Sequence, residues 1–232
     1  MEKQYVFSAP GRTEICGNHT DHQHGCVLAA AVDLETVATV QVNESNLIEI
    51  QSEGYPLVTV DLNDLAVREE EKNSTAALIR GVASAFVQRG AKLSGFRAEV
   101  RSTVLPGSGL SSSAAFEVLI GTILNELFFE KKLTAIEIAQ IGQYAENVYF
   151  GKPCGLMDQM ASSVGGMVYI DFADSREPKV LKLDVDLAKY GYGICIIDSG
   201  ADHADLTDEY AAIPRELSEL CRCFGRDYLR EI

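Results

Sequence analysis

Strand segments are marked by apolar side chains that form runs or alternate with polar ones. Residues 4–9 and 26–42 are rich in Val, Ala and Leu, and residues 96–100 alternate apolar with charged side chains, as half-buried strands do. The same reasoning predicts strands over residues 167–172 and 193–198.

Helical segments show apolar residues at intervals of three and four. Residues 75–89 have this spacing, and Gly90 follows as a stop signal. Residues 112–129 predict a second helix, residues 134–149 a third that opens with a Thr-x-x-Glu capping box, and residues 215–230 a fourth. Because strands and helices are mixed along the chain, the pattern predicts an α+β fold rather than a helix bundle.

Length and charge limit the function classes. The 232 residues are 47% hydrophobic and 23% charged, enough for one large domain or one domain and part of a second. Lys and Arg number 20 against 34 for Asp and Glu, a net charge of -14. This balance argues against a nucleic-acid partner, because phosphate backbones attract clustered cations. A small phosphorylated ligand is still compatible, since backbone N–H groups can hold it.

The cysteines and the absence of a long apolar run indicate the cellular compartment in which we expect the protein. The six cysteines are irregularly spaced, with no pair of the C-x2-C type that zinc sites use. No signal peptide opens the sequence, so we expect reduced thiols and a cytoplasmic protein. No apolar run approaches the roughly eighteen residues that a membrane span needs, and we expect no membrane partner.

A glycine- and serine-rich loop lies between a predicted strand and a predicted helix. Residues 104–115 read VLPGSGLSSSAA. Two glycines let backbone N–H groups approach an anion, the helix N-terminus favours negative charge, and the serines offer hydroxyls to phosphate or Mg²⁺. The loop is neither a Walker loop, which needs a Lys, nor a dinucleotide fingerprint, because Ser112 replaces the third Gly. The alternatives are phosphate binding, which the serines favour, and an ordinary turn with serine N-caps.

Two carboxylates and an arginine are candidates for chemistry. Glu146 shares a helix face with small and apolar residues, so it is either a Mg²⁺ ligand or a solvent-facing residue at a helix end. Asp158 lies between two methionines and needs a partner, for which Arg12 is the candidate; the alternative is a structural helix cap.

A polar cluster occupies residues 17–25, GNHTDHQHG. A metal site is disfavoured, because the histidines and the aspartate follow no helical or hairpin spacing that would make ligands converge. A loop that presents directional hydrogen-bonding groups to a polyhydroxylated ligand fits better, and a solvated turn is the remaining alternative.

Together these segments resemble the galactokinase branch of the GHMP kinase superfamily, named after galactokinase and the homoserine, mevalonate and phosphomevalonate kinases. The resemblance covers at least residues 7–210 and rests on three motifs in family order, at residues 11–21, 106–115 and 155–162. It implies an α+β fold with a mixed sheet and helices like ribosomal protein S5 domain 2. It also implies an N-terminal, ATP- and sugar-binding domain over residues 1–170, and the start of a C-terminal domain over residues 171–232.

The resemblance implies an ATP-dependent kinase that phosphorylates the anomeric 1-hydroxyl of galactose or a close relative, with Mg²⁺. By resemblance, Asp158 is the base, Arg12 orients it and stabilises the transferring phosphoryl group, and Ser113 and Glu146 hold Mg²⁺. The residues implied to contact the sugar are Arg12, Asn18, His19, Thr20, Asp21, Gly155, Asp158 and Tyr210. Those implied to hold ATP are Pro106, Gly107, Ser108, Gly109, Leu110, Ser111, Ser112 and Ser113.

The chain departs from the family pattern in two respects. Asn18 stands where the family usually has Glu and Glu14 where it has Asn, which bears on the identity of the sugar. A third glycine-rich motif near the family's C-terminus has no counterpart, so we expect the N-terminal part of a longer kinase whose remaining domain is needed for full activity. The alternatives are a sugar- and ATP-binding sensor without turnover, and a GHMP kinase acting on an N-acetylhexosamine or on mevalonate. The small residues after Ser113 favour catalysis.

Overall fold

A mixed β-sheet organises the described part of the chain. The structure is a computed structural model that describes residues 3–197 and 207–232, with the backbone alone for residues 207–211. The strands are β1 Gln4–Cys16, β2 Cys26–Val42, β3 Leu47–Ser52, β4 Val58–Asp61, β5 Phe96–Ser102, β6 Met167–Asp171 and β7 Lys179–Leu183. Their order is β4-β3-β5-β2-β6-β7, and β1 pairs with β2. The β3–β5 pairing is parallel and the other pairings are antiparallel, which confirms the predicted α+β class with a mixed sheet.

The long strand β2 connects the two halves of the sheet. Its C-terminal half pairs with β5 and its N-terminal half with β6, while β1 runs along it throughout. The register between β1 and β2 shifts between Pro10 and Arg12. Irregularities of this kind redirect side chains beside functional sites, and this one lies directly before Arg12.

The helices are α1 Thr75–Gln88, α2 Ser112–Phe128, α3 Ala135–Tyr144, α4 Met157–Val164 and α5 Thr207–Cys223. The predicted helices over residues 75–89 and 112–129 are confirmed. The capping box before α3 is also confirmed, because the Thr134 amide donates to Glu137 Oε2 at 2.8 Å and the Glu137 amide donates to Thr134 Oγ1 at 3.3 Å.

The third predicted helix changes its winding before it ends. After α3 the chain continues as a π-helix over Ala145–Phe150 and stops at Gly151, whose φ of 87° only glycine adopts freely. Helix α1 approaches this segment closely, since a Cβ added at Gly81 would lie 2.7 Å from the Ala145 Cβ. The tight packing fixes the π-helix, which carries Glu146.

Two apolar clusters hold the helices against the sheet. In the larger one, Phe86 of α1 and Leu119 of α2 are buried with Phe96 of β5. In the smaller one, Met160 of α4 is buried with Ile170 of β6. Helices α2 and α4 are therefore fixed by core packing, and their N-terminal ends are the parts of them that carry the candidate site.

Near the C-terminal end, one predicted strand is wrong and one predicted helix is confirmed in part, with different bounds. The strand predicted over residues 193–198 is not formed over residues 193–197, and residue 198 lies outside the described residues. The apolar side chains Ile194 and Ile196 are exposed, and a strand without a paired neighbour is not stable. The helix predicted over residues 215–230 begins earlier, at Thr207, and ends at Cys223.

Four short elements were not predicted: strands β3, β4 and β7, and helix α4. Strand β7, which follows residue 171 in the chain, pairs with β6. The domain boundary predicted after residue 170 stays a prediction. Within residues 3–197 and 207–232, no helix combines the length and the apolarity required to cross a bilayer. All six cysteines lie in these ranges and are free thiols.

Candidate functional site

The glycine- and serine-rich loop has the backbone of an anion-binding concavity. Gly107, Gly109 and Ser111 all have left-handed φ values, 75°, 75° and 59°, at alternate positions. Alternation of left- and right-handed residues turns successive N–H groups inward and makes anion-binding nests. Ser111 is the N-cap residue of α2, but its side chain does not cap the helix. Because the loop leads directly into the N-terminus of α2, the positive end of the helix dipole faces this loop.

Arg12 and Asp158 form a two-pronged ion pair beside the loop. Arg12 Nε donates to Asp158 Oδ1 at 2.7 Å, and Nη2 donates to Oδ2 at 2.8 Å. Arg12 is also tied to the loop, because its Nη1 donates to the Gly109 carbonyl at 2.7 Å and its amide to the Leu110 carbonyl at 3.0 Å. Ser111 Oγ donates to Asp158 Oδ2. The structure thus brings the predicted base, its predicted partner and the predicted phosphate loop together.

The surroundings of Asp158 keep its carboxylate ionised. Burial raises its pKa, but the charge and hydrogen bonds of Arg12 and the hydrogen bond from Ser111 outweigh burial, so the pKa lies below the usual 3.8. Asp158 also lies in the first turn of α4, where the helix dipole favours a negative charge. The side chain keeps 31% of its surface exposed, against 8% for Arg12, so an external group can reach the carboxylate.

Ser113 and Glu146, the predicted Mg²⁺ ligands, contact each other. Ser113 Oγ donates to Glu146 Oε1 at 3.1 Å, and Glu146 is 3% exposed, which rules out the solvent-facing alternative. Hydroxyl and carboxylate oxygens suit Mg²⁺, which in proteins takes few side-chain ligands and completes its shell with phosphates and water. Two side-chain ligands are too few for Mg²⁺ alone, so this pair fits the ion together with a bound phosphate. Among the described residues there is no group of three or more His, Cys, Asp or Glu that could hold a metal.

Two residues that the sequence did not single out lie behind Glu146. Gln159 Nε2 donates to Glu146 Oε2 at 2.8 Å and to Glu117 Oε2 at 3.0 Å. Burial and the nearby Glu146 charge raise the pKa of Glu117 well above its usual value. A signal for Glu117 was present, since it is the one charged residue in the apolar stretch 112–125.

The polar loop of residues 17–25 is held in a fixed shape. Asn18 and His19 have left-handed φ values of 55° and 53°, and the His19 amide donates to both carboxylate oxygens of Glu14, at 3.0 and 3.1 Å. Thr20 Oγ1 donates to the Gly17 carbonyl at 2.8 Å. The Thr20 hydroxyl therefore maintains the loop, while the Asn18 and His19 side chains are exposed.

Asp21 points inward, against the segment that leads to Asp158. Its Oδ2 accepts from the Met157 amide at 3.1 Å, and it packs on Gly155 so closely that a Cβ at Gly155 would overlap the Asp21 carboxylate. Asp21 and Gly155, both predicted to contact the sugar, are therefore in contact with each other. Gly155 is required here for close approach.

We expect Gly155→Ala to lower the free energy of unfolding by about 1–3 kcal/mol, because the added methyl displaces Asp21 and the start of α4. Gly193→Ala is the matched control, since its added Cβ meets nothing within 4 Å, and we expect less than about 0.5 kcal/mol. Chemical denaturation of both variants measures the difference. Equal stability of the two would contradict the packing described for Gly155.

The C-terminal segment braces the polar loop from outside. Gln23 Oε1 accepts from the Leu229 amide at 3.2 Å, and the His24 ring stacks on Tyr228 with centroids 3.7 Å apart. Arg230 Nη1 donates to the His24 carbonyl at 2.8 Å. These contacts hold residues 23 and 24 of the polar loop against residues 228–230.

A cavity of about 190 Å³ lies between the polar loop, α3 and the start of α4. Its lining includes Asp21, Gly155, His22, Gln143, Cys154 and Tyr228. Of the residues predicted to bind sugar, Asp21 and Gly155 line it. Tyr210 falls on α5, but its side chain lies outside the described part of the chain, and its role stays a prediction.

Comparisons with known proteins identify the family. The family model "GHMP kinases N terminal domain" matches residues 77–166, and "Galactokinase galactose-binding signature" matches residues 1–42, together more than half of the chain. The chain is 32% identical over 231 residues to galactokinase from Streptomyces coelicolor and 33% identical over 243 residues to galactokinase from Homo sapiens. In both cases all of this chain is covered, but it spans 59% of the relative's length.

Solved structures share the fold. Lactococcus lactis galactokinase, crystallised with galactose, matches with a TM-score of 0.71 and 26% identity over 79% of this chain and 48% of that one. Methanococcus jannaschii mevalonate kinase matches with a TM-score of 0.66 over 81% of this chain and 58% of that one, and at 15% identity it supports the fold alone. The family models and the galactokinase relatives place the chain in the GHMP kinase superfamily, within its galactokinase branch.

Proposed function

We propose that this chain carries the nucleotide- and sugar-binding part of a kinase that transfers the γ-phosphoryl group of ATP to the anomeric 1-hydroxyl of galactose or a close relative. In this proposal, residues 106–113 cradle the ATP phosphates. Asp158 accepts the proton of the attacking hydroxyl, and Arg12 stabilises the charge that develops on the phosphoryl group.

The observation that carries the proposal is the position of the Arg12 guanidinium. One side of it holds the Asp158 carboxylate through two hydrogen bonds, and the other side holds the Gly109 carbonyl of the loop at 2.7 Å. A hydroxyl on Asp158 would therefore lie close to a phosphate in the loop. Phosphoryl transfer depends mainly on such positioning and on electrostatic stabilisation.

The low pKa of Asp158 is compatible with this role. In a loose transition state the attacking hydroxyl loses its proton late, so the base needs to be ionised and aligned more than strongly basic. The hydroxyl of Ser111 already donates to Asp158, at a position that a sugar hydroxyl would take or share.

Ser113 and Glu146 would hold Mg²⁺ between them and the ATP phosphates. When bound, the ion neutralises the charge of the phosphate oxygens. The contribution of the chain is to keep a hydroxyl and a carboxylate oxygen 3.1 Å apart at the first turn of α2.

The sugar would be held by the polar loop and the start of α4. Asp21 is fixed by the Met157 amide, and the exposed side chains of Asn18 and His19 on the same loop offer donors and acceptors. Asn18 is a neutral amide that can both donate and accept, and it is the residue on which we expect the choice among related sugars to depend.

Release of ADP by the longer kinase that contains this chain, measured with galactose, glucose, N-acetylgalactosamine and mevalonate as possible acceptors, tests the proposal. We expect Mg²⁺-dependent turnover with galactose or a close relative and a phosphate on the anomeric oxygen, identified by phosphorus NMR. Turnover with mevalonate, or a phosphate at another hydroxyl, would contradict it. Binding of sugar and ATP without turnover would favour the sensor alternative.

A further inference from the structure

Three side chains behind the loop form a buried polar network. Glu117 on α2, Glu146 on the π-helix and Gln159 on α4 are 1%, 3% and 0% exposed. The Gln159 amide nitrogen bridges the two carboxylates, at 3.0 Å from Glu117 Oε2 and 2.8 Å from Glu146 Oε2. Buried carboxylates are unfavourable unless hydrogen-bond donors meet them, and the Gln159 amide supplies a donor to each of the two.

The bridge gives the two oxygens of Glu146 different surroundings. Oε2 is held inside by Gln159, while Oε1 faces the loop, with Ser113 Oγ at 3.1 Å and Lys152 Nζ at 3.8 Å. A carboxylate with one oxygen fixed internally presents the other in a defined direction. That direction is toward the first turn of α2.

The Gln159 side chain has little freedom to move. A Cβ added at Gly142 of α3 would lie 3.1 Å from Gln159 Cγ and 3.1 Å from Glu117 Oε2, so the α3 backbone covers both groups closely. Gln159 also follows Asp158 directly on α4. One short helix therefore carries both the proposed base and the amide behind the proposed metal ligand.

We propose that Gln159 is a positioning residue for Mg-nucleotide binding: its amide, held in place by Glu117, fixes Glu146 so that Oε1 faces the metal. This inference rests on the proposed function. Groups that orient metal ligands in this way commonly change metal affinity about 10–100-fold when removed.

Calorimetric titration of the full chain with a non-hydrolysable ATP analogue tests the proposal, once with Mg²⁺ and once with EDTA. The measured quantity is the ratio of the two affinities. We expect Gln159→Met, which keeps the length of the side chain but removes the donors, to lower this ratio about tenfold or more while the affinity in EDTA stays unchanged. We expect Glu117→Met to lower the ratio of the two affinities too. Glu117→Gln keeps an acceptor oxygen, so we expect its ratio to stay within about threefold of wild type.

Asn125→Leu is the matched control for loss of a buried amide. Asn125 bonds the Leu133 backbone at 3.0 and 3.1 Å, away from the loop, so this variant is expected to lose stability and keep the wild-type ratio. A wild-type ratio in Gln159→Met would overturn the inference and leave the proposed function intact. If Gln159→Met does not fold, equal ratios in Glu117→Met and Glu117→Gln would overturn it. A wild-type chain that binds no nucleotide would overturn both.

Discussion

Asp158→Asn is expected to lower kcat for sugar phosphorylation by about 10²–10⁴, the usual contribution of a positioned base. Asn has nearly the same shape and keeps an oxygen that can accept from Arg12, so the bidentate contact is reduced to a single strong bond rather than lost. It cannot accept the proton of the attacking hydroxyl. Steady-state kinetics with the preferred sugar measure the effect, and we expect the KM for ATP to change much less than kcat.

A second bidentate ion pair in the same chain is the control. Glu71 accepts from Arg80 Nε and Nη2, both at 2.7 Å, and Arg80 is buried on α1. We expect Glu71→Gln to reduce stability and leave kcat within about twofold of wild type, since the pair lies outside the site. If Asp158→Asn turned over sugar at the wild-type rate, the assignment of Asp158 as base would be wrong.

The fold could be predicted where the pattern is long. Strand β2 and helices α1 and α2 have enough turns or alternations for periodicity to identify them, and all three are confirmed. Strands β3 and β4 were not predicted, and they form by pairing, β3 with the distant strand β5 and β4 with β3.

The site could be predicted in part, for a physical reason. Arg12 and Asp158 are 146 positions apart, and each is a marked residue in its own segment, so motifs suggested a pairing that the fold then makes. The sequence marks Glu117 and Glu146 separately, but it gives no signal for Gln159 or for the bridge that joins the three side chains. The bridge joins three different elements, α2, the π-helix and α4, and no sequence pattern indicates how these elements pack together.

The charge of Arg12 determines how Asp158 affects stability as pH changes. In the wild type the folded-state pKa of Asp158 lies below the usual 3.8. The ion pair therefore contributes its full stability above pH 3.8 and loses it as the pH falls through the lower, folded-state pKa. Between pH 7 and pH 5 we expect this contribution to be constant.

Arg12→Met is expected to reverse this behaviour. Burial is the largest influence on the pKa of the Asp158 carboxyl. Without Arg12, only the Ser111 hydrogen bond and the His19 charge oppose burial, and we expect the folded-state pKa to rise above 3.8. We expect a loss of about 3 kcal/mol in the free energy of unfolding at pH 7, as for other ion pairs broken on one side. The loss should be smaller at pH 5, because protonation removes the unpaired charge. Denaturant titrations at both pH values measure it.

The double variant Arg12→Met with Asp158→Asn separates charge from packing. The double variant carries no unpaired charge, so we expect it to be more stable than Arg12→Met at pH 7. We also expect its loss in free energy of unfolding, relative to wild type, to be the same at pH 7 and pH 5. Arg80→Met controls for removal of a buried guanidinium and should keep sugar phosphorylation at temperatures where it is folded. An equal loss for Arg12→Met at both pH values, with no gain in the double variant, would show that Asp158 does not depend on Arg12 for its charge.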